Sequence, residues 1–189
     1  VCSEIVERGL REGIEVQAYL AVAFECPFEG RVSPDVVARF GKQMRSTGGL
    51  ILSPCRNLAA ANPEQVRQVL DALIPFVPSE KLSCHFHDTR GMALANITAA
   101  LDRGISEFDA SSGGLGGCPF SPGATGNVAT EDVVLLLNSM GYETGIDPLD
   151  LVPVVKFTEE LTGVSLGGKS FRWLAQQYQK QRGESGHGR

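Results

Sequence analysis

The chain has few histidines, no closely spaced cysteine pair, no basic stripe and no long apolar run, and each shortage narrows what it can be. Its Lys and Arg residues do not cluster and the net charge is −5. That excludes nucleic acid as the main partner and leaves small anionic substrates open. No apolar run reaches the roughly 20 residues of a membrane-spanning helix, so no membrane partner is expected. No signal peptide opens the chain and it does not begin with Met, so the native start and any targeting segment are expected to lie before Val1. The five cysteines (Cys2, Cys26, Cys55, Cys84, Cys118) are odd in number, irregularly spaced and without a CxxC pair. A disulfide framework or zinc ribbon is therefore not expected, and a reducing compartment is. Bacterial cytoplasm and mitochondrial matrix both satisfy that. Low-complexity segments and interdomain linkers are also missing.

What is present is an alternation of short apolar runs with amphipathic stretches. Strands are predicted at 16–24, 49–53, 81–86 and 106–111. Helices are predicted over 1–12, 34–44, 62–76, 91–104 and 131–141, with two more at about 148–162 and 170–181. Ser33-Pro34 and Asn62-Pro63 supply the cap and first-turn proline of two of them. Strand, helix, strand, helix with short links means a parallel sheet covered by helices. Four such units make either an open sheet or half of a (β/α)8 barrel.

Two of the three histidines fall in SCHFHDTRG, residues 83–91. On a strand the side chains of His85 and His87 point one way and Phe86 the other. Two imidazoles at the C-terminal end of a parallel strand are placed to hold a metal. The alternative is one histidine packed in the core and the other hydrogen-bonded locally. Asp88 is a carboxylate that would fix an imidazole tautomer. After the fourth strand, GGLGGCPFSPGATGN (113–127) sets glycines on both sides of Cys118 and ends at Asn127. Glycines permit left-handed backbone and close approach to a ligand. Cys118 then reads as an acid or nucleophile on a lid, and Asn127 as an oxygen donor to a hard cation; the alternative is a flexible loop with a half-buried thiol.

HFHDTRGMALAN at 85–96, GLGGCPFSPGATGNVATED at 114–132 and ECPFEGRVSP at 25–34 resemble the 3-hydroxy-3-methylglutaryl-CoA lyases, metal-dependent enzymes built on (β/α)8 barrels. The resemblance runs from residue 1 to about 165, and the GGCP loop separates the lyases from the related condensing enzymes. It implies an α/β fold, a partial (β/α)8 TIM barrel made of roughly the last four βα units plus C-terminal helices. A domain over 1–181 is expected, and the polar RGESGHGR end at 182–189 is expected to be a disordered tail. The resemblance implies Mg2+ or Mn2+ held by His85, His87 and Asn127, with Cys118 and His85 as catalytic residues and Gly116, Gly117 and Gly123 in a substrate-binding lid. The implied reaction is retro-Claisen cleavage of an acyl-CoA substrate to acetyl-CoA and acetoacetate; a homo-oligomer is expected separately, from the open edges that strands 16–24 and 106–111 would leave.

Two departures qualify the match. The family's earlier strands, which supply an Arg, a metal-ligating Asp and a Glu, have no counterpart, so about half the barrel is expected to be absent. PCRNLAAAN (54–62) replaces the family's Asp-Thr-x-Gly turn, with Arg56 at the acidic position. The alternatives are a non-catalytic half-barrel that folds only by pairing and a related condensing or aldol enzyme.

Overall fold

The computed structural model describes residues 2–14, 16–21, 23–26, 29–44, 49–52, 61–117 and 126–183. They fall into two compact units, one ending at Asp109 and the other built from 110–117 and 126–183.

The first unit contains α1 (Cys2–Arg11), β1 (Gln17–Leu20), β2 (Glu25–Cys26), β3 (Gly30–Arg31), α2 (Pro34–Met44), β4 (Gly49–Leu52), α3 (Pro63–Leu73), β5 (Leu82–His85), α4 (Ala93–Leu101) and β6 (Glu107–Asp109). β1, β4, β5 and β6 form one parallel sheet in that order. Each strand lies beside the next one in sequence that joins the sheet, which is what consecutive helical crossovers produce.

The helices start where sequence chemistry puts them. Asn62 Oδ1 accepts from the Gln65 backbone N–H at 2.9 Å, and Gln65 Oε1 accepts from the Asn62 N–H at 3.0 Å. That reciprocal cap, with Pro63 in the first turn, satisfies two donors that helix geometry leaves free. Val66, Val69, Leu70 and Leu73, at helical spacing, are all buried, each stabilising the fold by about 1.5–3 kcal/mol on burial. In α4 small residues pack closely, and the buried Asn96 donates through Nδ2 to the Ala61 carbonyl at 2.6 Å, tying α4 to the residue before α3's cap. Leu82, Cys84 and Phe86 are buried, while His85 and His87 between and beyond them are only half-buried. Phe24 meets Phe86 with ring centroids 6.3 Å apart.

The sheet is curled. β1 and β6 are three strand spacings apart, about 14 Å if flat, and side chains stand roughly perpendicular to a flat sheet. Yet the Tyr19 hydroxyl on β1 donates to Asp109 Oδ2 on β6 at 2.9 Å. Only curvature toward the face bearing these residues brings them together.

Several boundaries differ from expectation. β1 ends at Leu20 rather than continuing to 24; Ala23 and Phe24 turn inward and are buried. An antiparallel pairing of β2 with β3 follows, reversed with Gly30 at φ +78°. β5 stops at His85, with His87 just beyond. α4 begins at Ala93, because Asp88–Gly91 form a turn closed by the Gly91 N–H donating to the Asp88 carbonyl at 2.9 Å. β6 ends at Asp109 and Ser111 bridges instead to Ala129.

The second unit holds α5 (Thr130–Ser139), α6 (Leu151–Thr162) and α7 (Phe171–Gln181) around Val128, Val133, Val134, Val152, Val155 and Leu174. Gly113, at φ +62°, sits where any Cβ would come within 2.8 Å of Leu166 Cβ. Of the expected tail at 182–189, residues 184–189 lie outside the described residues, as do Cys55 and Arg56. Among the described residues no helix is long and apolar enough to cross a membrane.

Candidate functional site

Parallel register places His85 and Asp109 side by side, as Cα partners at the C-terminal ends of β5 and β6. His85 Nδ1 lies 3.6 Å from Asp109 Oδ2, beyond hydrogen-bond range. That nitrogen is buried and has no hydrogen-bond partner. The His87 ring comes round from two residues further on, with its centroid 5.2 Å from that of His85 and the planes tilted by 59°. The expectation that the two imidazoles share a face is met, although β5 itself ends before His87.

The electrostatics favour neutral imidazole at His87. Burial, and then the neighbouring His85, hold its pKa below the ordinary histidine value. Tyr19 is shifted up, first by burial and then by its hydrogen bond to Asp109 and that carboxylate's charge, so its hydroxyl stays protonated as the donor. Cys84, fully buried beneath this face, is pushed up to about 12 by burial and by Asp109. It is a packing residue with no thiolate available for chemistry.

Asp88 does not serve the histidines as expected. Its Oδ1 accepts from the Ala93 N–H at 3.0 Å and so satisfies a free donor in the first turn of α4. The carboxylate beside His85 is Asp109. Sequence reading missed it, although an acid ending the strand after His-x-His was a usable signal in a parallel sheet. Tyr19, 90 residues away from its partner, had no such signal.

In the second unit two stretches run together. The Asn127 N–H donates to the Gly116 carbonyl at 3.1 Å, and Asn127 Nδ2 to the Leu115 carbonyl at 2.9 Å. The Ser111 N–H donates to the Val128 carbonyl at 3.1 Å. Gly126, at φ +93°, is required here, since a Cβ would lie 2.3 Å from the Gly116 oxygen. Asn127 Oδ1 is buried without a hydrogen-bond partner, an acceptor left available to a ligand. Gly116 and Gly117 are exposed at the edge of this neck. Cys118 and Gly123 lie outside the described residues.

The acidic pair ending the second motif is structural. Glu131, fully buried, accepts from the Gly113 N–H at 3.1 Å through Oε2 and from the Gly168 N–H at 2.8 Å through Oε1. Asp132 accepts from the Lys169 N–H at 2.7 Å, the Ser170 N–H at 2.8 Å and the Ser170 hydroxyl. Both carboxylates stand in the first turn of α5, where the helix dipole favours negative charge.

Of the sequence-predicted residues, then, the structure brings His85 and His87 together and holds Asn127 beside Gly116 in its own unit. Among the described residues no three His, Cys, Asp or Glu side chains group as a metal cluster.

Comparison with known proteins agrees with the motif reading. Hydroxymethylglutaryl-CoA lyase of Bacillus subtilis is 41% identical over 162 residues, which are 86% of this chain and 54% of that protein. The mitochondrial hydroxymethylglutaryl-CoA lyase of Gallus gallus is 43% identical over 145 residues, covering 77% of this chain and 49% of its own length. The solved structure of an HMG-CoA lyase from A. baumannii, in complex with coenzyme A and 3-methylmalate, superimposes with a TM-score of 0.81 at 35% identity. It covers 90% of this chain and 56% of the other. The chain spans about half the length of the curated relatives it matches. Residues 3–157 match the HMGL-like family model, and the chain belongs to that family.

Proposed function

We propose that this chain carries the metal-binding portion of a hydroxymethylglutaryl-CoA lyase, an enzyme that cleaves 3-hydroxy-3-methylglutaryl-CoA to acetyl-CoA and acetoacetate. The single observation that carries the reading is the His85–His87 pair at the C-terminal end of a parallel strand, 5.2 Å between ring centroids, inside the motif shared with the lyases. The curl of the four-stranded sheet supports a partial (β/α)8 barrel over 1–181, since a closed barrel needs that curvature.

The residues fit a divalent cation, Mg2+ or Mn2+. A neutral imidazole is the ligating form, and burial keeps His87 neutral. Asn127 offers a buried amide oxygen with no partner, suited to a hard cation. His85 and His87 would hold the ion, which would supply stabilisation of alkoxide and carbonyl oxygen charge.

The remaining chemistry belongs to protein groups. A general base takes the tertiary hydroxyl proton of the substrate. The C–C bond then breaks, its electrons pass to the thioester enolate, and the new carbonyl belongs to acetoacetate. The enolate carbon takes a proton from the Cys118 thiol, a fitting donor because a protonated thiol is a weak ligand for Mg2+ or Mn2+. His85 acts as ligand, because an imidazole whose lone pair is engaged cannot also accept the substrate's proton. Gly116, Gly117 and Gly123 would belong to a substrate-binding lid, whose role is to shield the enolate from water. The compartment is bacterial cytoplasm or mitochondrial matrix.

The test is a full-length protein carrying these residues. Cys118→Ala should abolish most acetyl-CoA release while leaving Mn2+ affinity nearly unchanged, and His85→Ala or His87→Ala should weaken both. If Cys118→Ala keeps full rate or loses the metal, the acid assignment is wrong.

A further inference from the structure

The Asp109 carboxylate is bracketed by two groups, one from the neighbouring strand β5 and one from the far edge of the sheet. Tyr19 on the opposite edge strand donates to Oδ2 at 2.9 Å. The same oxygen lies 3.6 Å from His85 Nδ1. That nitrogen is buried and without a partner, which costs free energy unless something in the working protein completes it. Asp88, the nearest carboxylate in sequence, is already engaged at the start of α4.

We propose that Asp109, braced by Tyr19, is the positioning carboxylate of His85. It keeps the ring hydrogen on Nδ1 and leaves the Nε2 lone pair free for a ligand. The inference deepens the metal-site reading and rests on it for the identity of that ligand. An imidazole can ligate through only one nitrogen while the other carries hydrogen, and a carboxylate behind the ring sets which one. Free imidazole in histidine prefers the hydrogen on Nε2, the wrong form for ligation from the open side. The 3.6 Å gap needs a movement of about 0.7 Å to reach ordinary N–H···O length. Side-chain rotation can supply that, because Asp109 is 38% exposed. Tyr19 limits the freedom that this exposure would otherwise allow: its phenol spans the concave face and pins the oxygen that His85 uses. Both are positioning residues, acting on the reaction through His85.

The experiment reads the tautomer directly, without metal or turnover. Long-range 1H–15N correlation spectra of the 189-residue chain, with ring signals assigned by His85→Gln and His87→Gln, report which nitrogen of His85 carries hydrogen. The wild type should show Nδ1–H. Asp109→Ala should convert His85 to a mixture dominated by Nε2–H, and Tyr19→Phe, which keeps the ring's packing, should give an intermediate. Mn2+ affinity should fall by about 10–100-fold in Asp109→Ala, the usual effect of losing a carboxylate behind a ligating histidine. If Asp109→Ala fails to fold, Tyr19→Phe alone still carries the test. A wild-type His85 protonated on Nε2, or a tautomer indifferent to both substitutions in folded protein, overturns the proposal. A tautomer that follows Asp109 in a chain that binds no Mn2+ upholds the positioning role and removes the metal reading instead.

Discussion

Glu131→Ala isolates the buried carboxylate that ties the second unit together. In the folded chain Glu131 is fully buried and receives two backbone N–H groups, from Gly113 at 3.1 Å and Gly168 at 2.8 Å. Removing the carboxylate leaves the Gly113 donor with no partner inside the core, which costs about 1–3 kcal/mol. The Gly168 donor is only part-buried and water can reach it, so its loss adds less. The variant should lose about 3 kcal/mol in total, which corresponds to roughly 6–12 °C in Tm for a chain of this size. Glu131→Gln keeps the shape and one acceptor but turns a donor toward a donor, and should lose about half as much. Urea denaturation followed by circular dichroism gives the free energies. Amide exchange at Gly113 and Gly168 should speed up ahead of the rest of the unit. A Glu131→Ala chain within about 1 kcal/mol of wild type would refute the reasoning, because buried donors would then be satisfied some other way.

Further outcomes follow from the same structure. Asn96→Ala should cost about 1–2 kcal/mol in chemical denaturation, because it strips the partner from the buried Ala61 carbonyl while removing an Asn96 Oδ1 that itself has none; Asn96→Asp, which buries a charge there, should cost more. His87 has a folded pKa below its ordinary 6.5, so its contribution to stability is present above that pH and lost as pH falls through the lowered value. His87→Gln should therefore flatten the stability-against-pH curve below 6.5, measured by urea midpoints at successive pH values. Cys84, its thiol pushed up to about 12 and fully buried, should resist iodoacetamide until the chain unfolds, as peptide mass mapping would report. The 189-residue chain on its own should release no measurable acetoacetate and should associate at micromolar concentration through β1 and β6, the outer strands of its sheet; robust turnover, or a sharp monomer in light scattering, would count against the half-barrel reading.

How far the sequence carried these conclusions depended on the range of each interaction. The side-by-side placement of His85 and His87 was legible because strand period two is a local property. The caps at Asn62 and at Ser33, whose Oγ accepts from the Asp35 N–H at 3.3 Å, were legible for the same reason, being set within three residues. Asp109 was not, since its nearness to His85 comes from register between strands, and register is fixed by packing of whole units. Tyr19 needed the curvature of the sheet as well. Asp88 was misassigned because an aspartate followed three residues later by glycine serves a turn and a helix start as readily as an imidazole. The pairing of β2 with β3 was missed because two-residue strands carry no periodicity to read. The structural roles of Glu131 and Asp132 had no local signal, because the backbone amides of 168–170 that donate to them come from beyond α6.

Whether His85 and His87 form a divalent-cation site is decided by Mn2+ titration of the purified chain, followed by electron paramagnetic resonance of the free ion. The wild-type chain should take up about one Mn2+, weakly, with affinity lowered further in His87→Ala and in His85→Ala while circular dichroism shows both variants folded. A wild-type chain that leaves the Mn2+ signal untouched, or variants that bind as the wild type does, would contradict that reading.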